Sequence, residues 1–140
     1  MIDILLLDDD AVVVSSRKPI LEADETLAIA GTGHSGVQAI QLALALHPDI
    51  ILMDIRMEPM SGLAAGQAIL EQMPAARILF LTTFADEEYI IKALRMGARG
   101  YILKQHFASI VPAVKAICSG QTVFGDQIMS RLPILLGQAS

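Results

Sequence analysis

The run DIILMD, Asp49 to Asp54, decides the fold. Four apolar residues, Ile50 to Met53, stand in a row between two aspartates with no polar alternation. A strand written this way has both faces covered, which is the habit of a parallel sheet between two layers of helices. Similar short β-rich runs lie on either side at Ile2–Leu7, Thr26–Ala30, Arg77–Leu81 and Arg99–Leu103. With Asp49–Met53 as the third, their starts are 24, 23, 28 and 22 residues apart. The segments between them carry helical spacing, as in Val37, Ile40 and Leu44 or Tyr89, Ile90 and Leu94. Strand and helix therefore alternate along the chain.

Five such strands predict an α/β, flavodoxin-like, doubly wound parallel sheet of order 2-1-3-4-5 with helices on both faces. Gly31 and Gly33 after the second strand, Pro48 before the third, Pro74 and Gly97 punctuate the elements. Two prolines resist the scheme. Pro19 falls inside the first helix and Pro112 inside the fifth unless that helix begins near Val111, so a kink or a late start is expected at each. The division expected is one domain over residues 1–120, then a short helix and linker tail over 121–140.

Composition agrees with one folded domain. The chain has 140 residues, 54% hydrophobic and 18% charged, with a net charge of -5. That is too apolar for disorder and too acidic to hold a phosphate backbone, so DNA is not expected to bind this chain directly. Its apolar runs fall short of the ~18–20 residues that cross a bilayer, and Asp3 stands where a signal peptide carries positive charge. No membrane association and a cytoplasmic location are expected. Cys118 is a lone cysteine, read as a small hydrophobe in a helix, and the three histidines lack metal-site spacing.

In an open parallel sheet the ligand site lies beyond the carboxyl ends of the strands. Those ends carry Asp8, Asp9 and Asp10 after the first strand, Asp54 at the third, Thr82 and Thr83 at the fourth, and Lys104 at the fifth. Carboxylates crowded together repel unless a cation sits among them, and an all-oxygen donor set favours a hard ion such as Mg²⁺. A carboxylate beside such an ion can attack phosphorus, with a lysine and a hydroxyl to hold the phosphoryl oxygens. Each residue also has a plainer reading: Asp10 as a helix N-cap, a threonine as a β-branched strand residue, a lysine as solvated charge. Their convergence on one edge favours the joint functional reading.

These residues resemble the receiver domain of two-component response regulators over roughly residues 2–120. The likeness rests on ILLLDDD, DIILMDIRMEPMSG, ILFLTTF and GARGYILK. The resemblance implies Asp54 as phosphoacceptor, with Asp8, Asp9, Asp54 and the backbone carbonyl of Arg56 as Mg²⁺ ligands. It implies Thr82 and Tyr101 as the switch pair and Lys104 as the ion-pairing reporter of the new charge. It further implies a sensor histidine kinase as donor and homodimerisation on phosphorylation. MDIRMEPMSGL and EEYIIKALRMGARGYILK are more similar to the NarL/LuxR-type branch, in which DNA is bound through a separate helix-turn-helix domain. That domain is absent from this chain, and transcriptional control is the implied output.

Three positions depart from the family's pattern. Glu58 stands where proline is usual, Ser61 replaces a common aspartate, and Gln105 replaces the proline or aspartate that usually follows the lysine. Gln105 puts a cis bond after Lys104 in question, since a cis peptide without proline costs about 3 kcal/mol or more. Three other readings compete. Asp8, Asp10 and Val12 fit the DxDxV pattern of haloacid-dehalogenase-like phosphatases, although Asp54 is then unexplained. A phosphorylation-independent interaction module conflicts with the intact acidic set, and a flavodoxin conflicts with three aspartates where a cofactor phosphate would sit.

Overall fold

Side-chain alternation along fully apolar strands builds two cores, one on each face of the sheet. In the computed structural model, which describes residues 1–83 and 86–124, the strands are β1 (Ile2–Leu7), β2 (Leu27–Gly33), β3 (Ile50–Asp54), β4 (Ile78–Thr82), β5 (Gly100–Leu103) and β6 (Val123–Phe124). The helices are α1 (Ala11–Glu22), α2 (Gly36–Leu46), α3 (Gly62–Gln72), α4 (Glu87–Met96) and α5 (Ile110–Cys118), with a 3₁₀ segment over Lys104–Ser109 leading into α5. The sheet is parallel throughout, in the order β2-β1-β3-β4-β5-β6.

Ile4, Leu6, Ile50, Leu52, Leu79, Leu81 and Ile102 pack with Val14 and Leu21 of α1 and Val114 and Ile117 of α5. The intervening residues, Leu5, Leu7, Ile51, Met53, Ile78, Phe80 and Tyr101, face Ala39 and Ala43 of α2, Ile69 of α3 and Ile90 of α4. The helix starts are fixed by side-chain caps: Asp10, Ser35, Ser61 and Asp86 each accept a backbone N–H from the first turn. Gly97 ends α4 at φ 89°, a left-handed conformation in which a Cβ is strained.

The flavodoxin-like order is present, with one strand more than the five expected. Val123 and Phe124 pair with Gly100 and Tyr101 of β5, so the sheet reaches into the segment assigned to the tail. Two residues are too few for periodicity to register. Of the short helix and linker tail expected over 121–140, residues 125–140 lie outside the described residues.

At Pro19 no late start occurs. Asp10 caps α1 and the helix runs through the proline to Glu22. The carbonyl that loses its donor belongs to Ser15, which is exposed, so water can take the missing bond. Pro112 is the third residue of α5, in a first turn whose N–H groups have no intrahelical acceptor, and the helix begins at Ile110. Among the described residues no helix is long and apolar enough to cross a membrane.

Candidate functional site

The carboxyl ends of β1, β3, β4 and β5 converge on one acidic edge. Asp8 follows β1 directly, fully buried, on the side of the Ile4 and Leu6 side chains, while Asp9 beside it is exposed. Asp54 ends β3 and is 3% exposed. Carboxylate oxygens of Asp8, Asp9 and Asp54 all lie within 4.8 Å of one another. Lys104, the first residue beyond β5, spans the gap, its Nζ lying 3.1 Å from Asp8 Oδ2 and 3.1 Å from Asp54 Oδ2. The Lys104–Gln105 peptide is trans, the cis peptide among the described residues being Glu58–Pro59. The lysine reaches both carboxylates in this backbone state.

The electrostatics follow from crowding and burial. Burial pushes the Asp54 carboxyl up; Lys104 opposes this and Asp8 adds to it. The Asp9 carboxyl is raised by its own partial burial, then by the hydrogen bond and negative charge of Asp8. Two carboxyls that resist ionisation beside a third are a site waiting for positive charge. The donor set is all oxygen, which suits a hard cation that keeps several waters, so the residues present fit Mg²⁺.

Thr82 closes β4 at 1% exposure, and its Oγ1 has no hydrogen-bond partner among the described residues. A buried hydroxyl without a partner is costly, and its presence calls for a ligand atom or a movement that supplies one. Tyr101 is fully buried beside Phe80, which precedes Thr82 by two residues on the same face of the sheet. The β3–α3 loop supplies the remaining wall. Asp9, Arg56, Glu58, Ser61 and Tyr89 line an open groove over the acidic edge, and the Arg56 N–H donates to Asp54 Oδ1 at 3.3 Å. Gly62 N donates to the Ile55 carbonyl at 2.7 Å, drawing the start of α3 onto the backbone of Asp54.

Of the residues singled out from sequence, Asp8, Asp9, Asp54 and Lys104 are brought into one cluster, with Thr82 and Tyr101 on the adjoining strands. Asp10 is not among them. It is exposed and caps α1 by accepting from Val12 N at 2.9 Å, which is its plainer role and leaves the DxDxV pattern without its second carboxylate at the cluster. Two neighbours were missed. Arg17 of α1 is 8% exposed, with Nη1 3.2 Å from Asp8 Oδ2 and the guanidinium 4.9 Å above the ring of Phe107. Burial lowers its pKa, while Asp8 and then Asp54 pull the other way. The signal available was a basic residue on the apolar stripe of α1, three after Val14 and four before Leu21. His34 places Nδ1 3.1 Å from the Asp8 carbonyl, a contact between loops that spacing does not reveal.

The chain is similar to known proteins over most of its length. The family model described as "Response regulator receiver domain" matches residues 4–115. The chain is 37% identical over 133 residues to the transcriptional regulatory protein LnrK of Bacillus subtilis, covering 94% of this chain and 60% of that protein. It is 40% identical over 131 residues to the oxygen regulatory protein NreC of Staphylococcus epidermidis, covering 92% and 60%. The chain thus spans 60% of the length of these relatives. Among solved structures, a LuxR-family two-component response regulator from Aurantimonas superposes with TM-score 0.89 at 28% identity, covering 93% of this chain and 94% of that one. The receiver domain of the putative regulator NarL from Mycobacterium tuberculosis gives 0.80 at 25% identity, covering 86% and 98%. By the family match over most of its length and by these likenesses, the chain belongs to the receiver-domain family of two-component response regulators, in its NarL/LuxR-type branch.

Proposed function

We propose that this receiver takes a phosphoryl group onto Asp54 from a phosphohistidine of a sensor histidine kinase and passes on the resulting charge as a change of surface. One observation carries the reading: Lys104 bridges Asp8 and Asp54, so any change of charge on Asp54 is felt at once by the first residue after β5. Asp8, Asp9, Asp54 and the carbonyl of Arg56 would hold Mg²⁺, which when bound supplies neutralisation of the phosphoryl oxygens. Asp54 attacks phosphorus through a carboxylate oxygen; the P–N bond to the donor imidazole breaks and its electron pair returns to that ring nitrogen. The Arg56 N–H holds Asp54 Oδ1 and Lys104 holds Oδ2, which orients the carboxylate before the reaction.

Phosphorylation adds about -1.5 to -2 charges at neutral pH. Lys104 follows that charge, and the Thr82 hydroxyl donates to a phosphoryl oxygen, satisfying the bond it lacks. Tyr101 fills the space on the Phe80 face of the sheet behind Thr82. The receiver is a signalling domain; its own loss of phosphate would be hydrolysis in the same site. The likeness to LnrK, a transcriptional regulatory protein, supports transcription as the output. The reading places the DNA contacts outside this chain, with homodimerisation on phosphorylation and a cytoplasmic location.

Intact-protein mass after incubation with Mg²⁺ and acetyl phosphate tests the assignment. The parent chain is expected to gain one phosphoryl group and Asp54→Asn none. Stable phosphorylation of the variant would overturn it.

A further inference from the structure

The core-facing residues of α1 are Val14, Arg17 and Leu21, so a guanidinium stands where the helix stripe is otherwise apolar. A charge this buried has to be paired. Arg17 has two partners on two different elements: Asp8 after β1, 3.2 Å from Nη1, and the ring of Phe107 in the 3₁₀ segment, 4.9 Å from the guanidinium carbon. Carboxylate and ring together hold the group in place. Asp8 is correspondingly committed. Its Oδ2 takes both Arg17 and Lys104, and its Oδ1 accepts the Asp10 N–H at 3.0 Å.

We propose that Arg17 is a resident counter-cation of the acidic cluster, a positioning residue that occupies Asp8 in competition with Mg²⁺ and raises the metal concentration at which the site fills. The inference rests on the reading of Asp8, Asp9 and Asp54 as the Mg²⁺ ligands. Among the described residues, these three carboxylates within 4.8 Å are met by Lys104, which reaches Asp8 and Asp54, and by Arg17, which reaches Asp8. A divalent cation held by this cluster would meet carboxylates already part-neutralised, with the guanidinium seated on Asp8. Lys104 can retreat onto Asp54, whereas Arg17 is fixed from behind by Phe107. The repulsion it exerts on a bound metal therefore persists.

Calorimetric titration of MgCl₂ into the full chain distinguishes the cases, with Arg17→Met and Arg17→Gln as neutral variants, Arg17→Lys as the charge-keeping one, and Asp9→Asn as control. Methionine keeps an unbranched stem and a sulfur contact for Phe107, glutamine keeps a hydrogen bond for Asp8, and circular dichroism checks that each folds. Both neutral variants are expected to bind Mg²⁺ about fivefold or more tighter than the parent, Arg17→Lys within about twofold of it, and Asp9→Asn not at all, since one unit charge so close to the metal is worth at least that much. Arg17 variants that all match the parent, or neutral variants that bind more weakly, overturn the proposal while the loss in Asp9→Asn leaves the ligand assignment intact. No Mg²⁺ binding by the parent would remove the ligand assignment itself, and the proposal with it.

Discussion

Thr82 is the residue whose two roles oppose each other. Its buried Oγ1 lacks a partner, so Thr82→Val removes an unsatisfied group and is expected to stabilise the unphosphorylated receiver by about 1 kcal/mol in urea unfolding. On the proposed function the same change is expected to withdraw a donor from the phosphoryl group and shorten the phosphorylated lifetime; a destabilised variant would mean that the hydroxyl is already bonded. Asp54 behaves similarly for an electrostatic reason. Its carboxyl is raised by burial, so the folded state holds its proton more tightly than the unfolded chain does and ionisation at neutral pH works against folding. Asp54→Asn is expected to raise the melting temperature at pH 7, with the gain vanishing as pH falls through the raised titration and both proteins become neutral there. Gly62 permits no such exchange. A Cβ on Gly62 would run into the Asp54 carbonyl oxygen and lie 3.0 Å from Ile55 Cα, backbone that cannot move aside without moving Asp54. Gly62→Ala is expected to cost about 2–3 kcal/mol, read as a lower urea midpoint.

Between elements, the pair that ties the end of α1 to α5 sits at the surface, far from the acidic edge. Lys115 Nζ lies 2.7 Å from Asp24 Oδ2 and, together with hydrogen bonds from Thr26, draws the Asp24 carboxyl from its ordinary 3.8 down to about 2. A carboxyl lowered in this way stabilises the fold above its unfolded titration and ceases to do so as pH falls through the folded one. Asp24→Asn should therefore unfold less steeply than the parent between about pH 4 and pH 2, with little difference at pH 7, which an acid titration followed by circular dichroism reads directly. Elements of this kind were legible to different depths. β1 is read to the residue, because Ile2–Leu7 ends abruptly in three aspartates. β2 runs three residues further than its apolar core, through Gly31, Thr32 and Gly33, because pairing with Leu5–Leu7 across a bulge asks for backbone rather than for side chains. Asp8, Asp54 and Lys104 are legible because strand ends in a parallel sheet share one edge. Arg17 is legible only in part: its spacing from Val14 and Leu21 sets it on the apolar stripe of α1, but that it meets Asp8 depends on how α1 packs against β1, which spacing does not show.

For the molecule as a whole, the sheet gathers its apolar residues into two cores and its least compatible charges at one edge. Repulsion among Asp8, Asp9 and Asp54 is a tax on the entire fold, since the strands bearing them cannot separate without unpairing β1 from β3. Anything that binds this edge in the folded state alone stabilises every element together, by about 2.7 kcal/mol when free ligand stands at a hundred times its dissociation constant. Saturating Mg²⁺ is accordingly expected to raise the urea midpoint of the whole cooperative transition. The slope of free energy against urea should stay unchanged, because the surface exposed on unfolding is the same with and without the ion. Sodium chloride at equal ionic strength should produce little of the shift, since screening acts on exposed charges, whereas Asp8 and Asp54 are buried. Asp9→Asn should retain the fold and lose the Mg²⁺ response. An equal rise in parent and variant would place the ion elsewhere on a chain of net charge -5 and detach the acidic edge from metal binding.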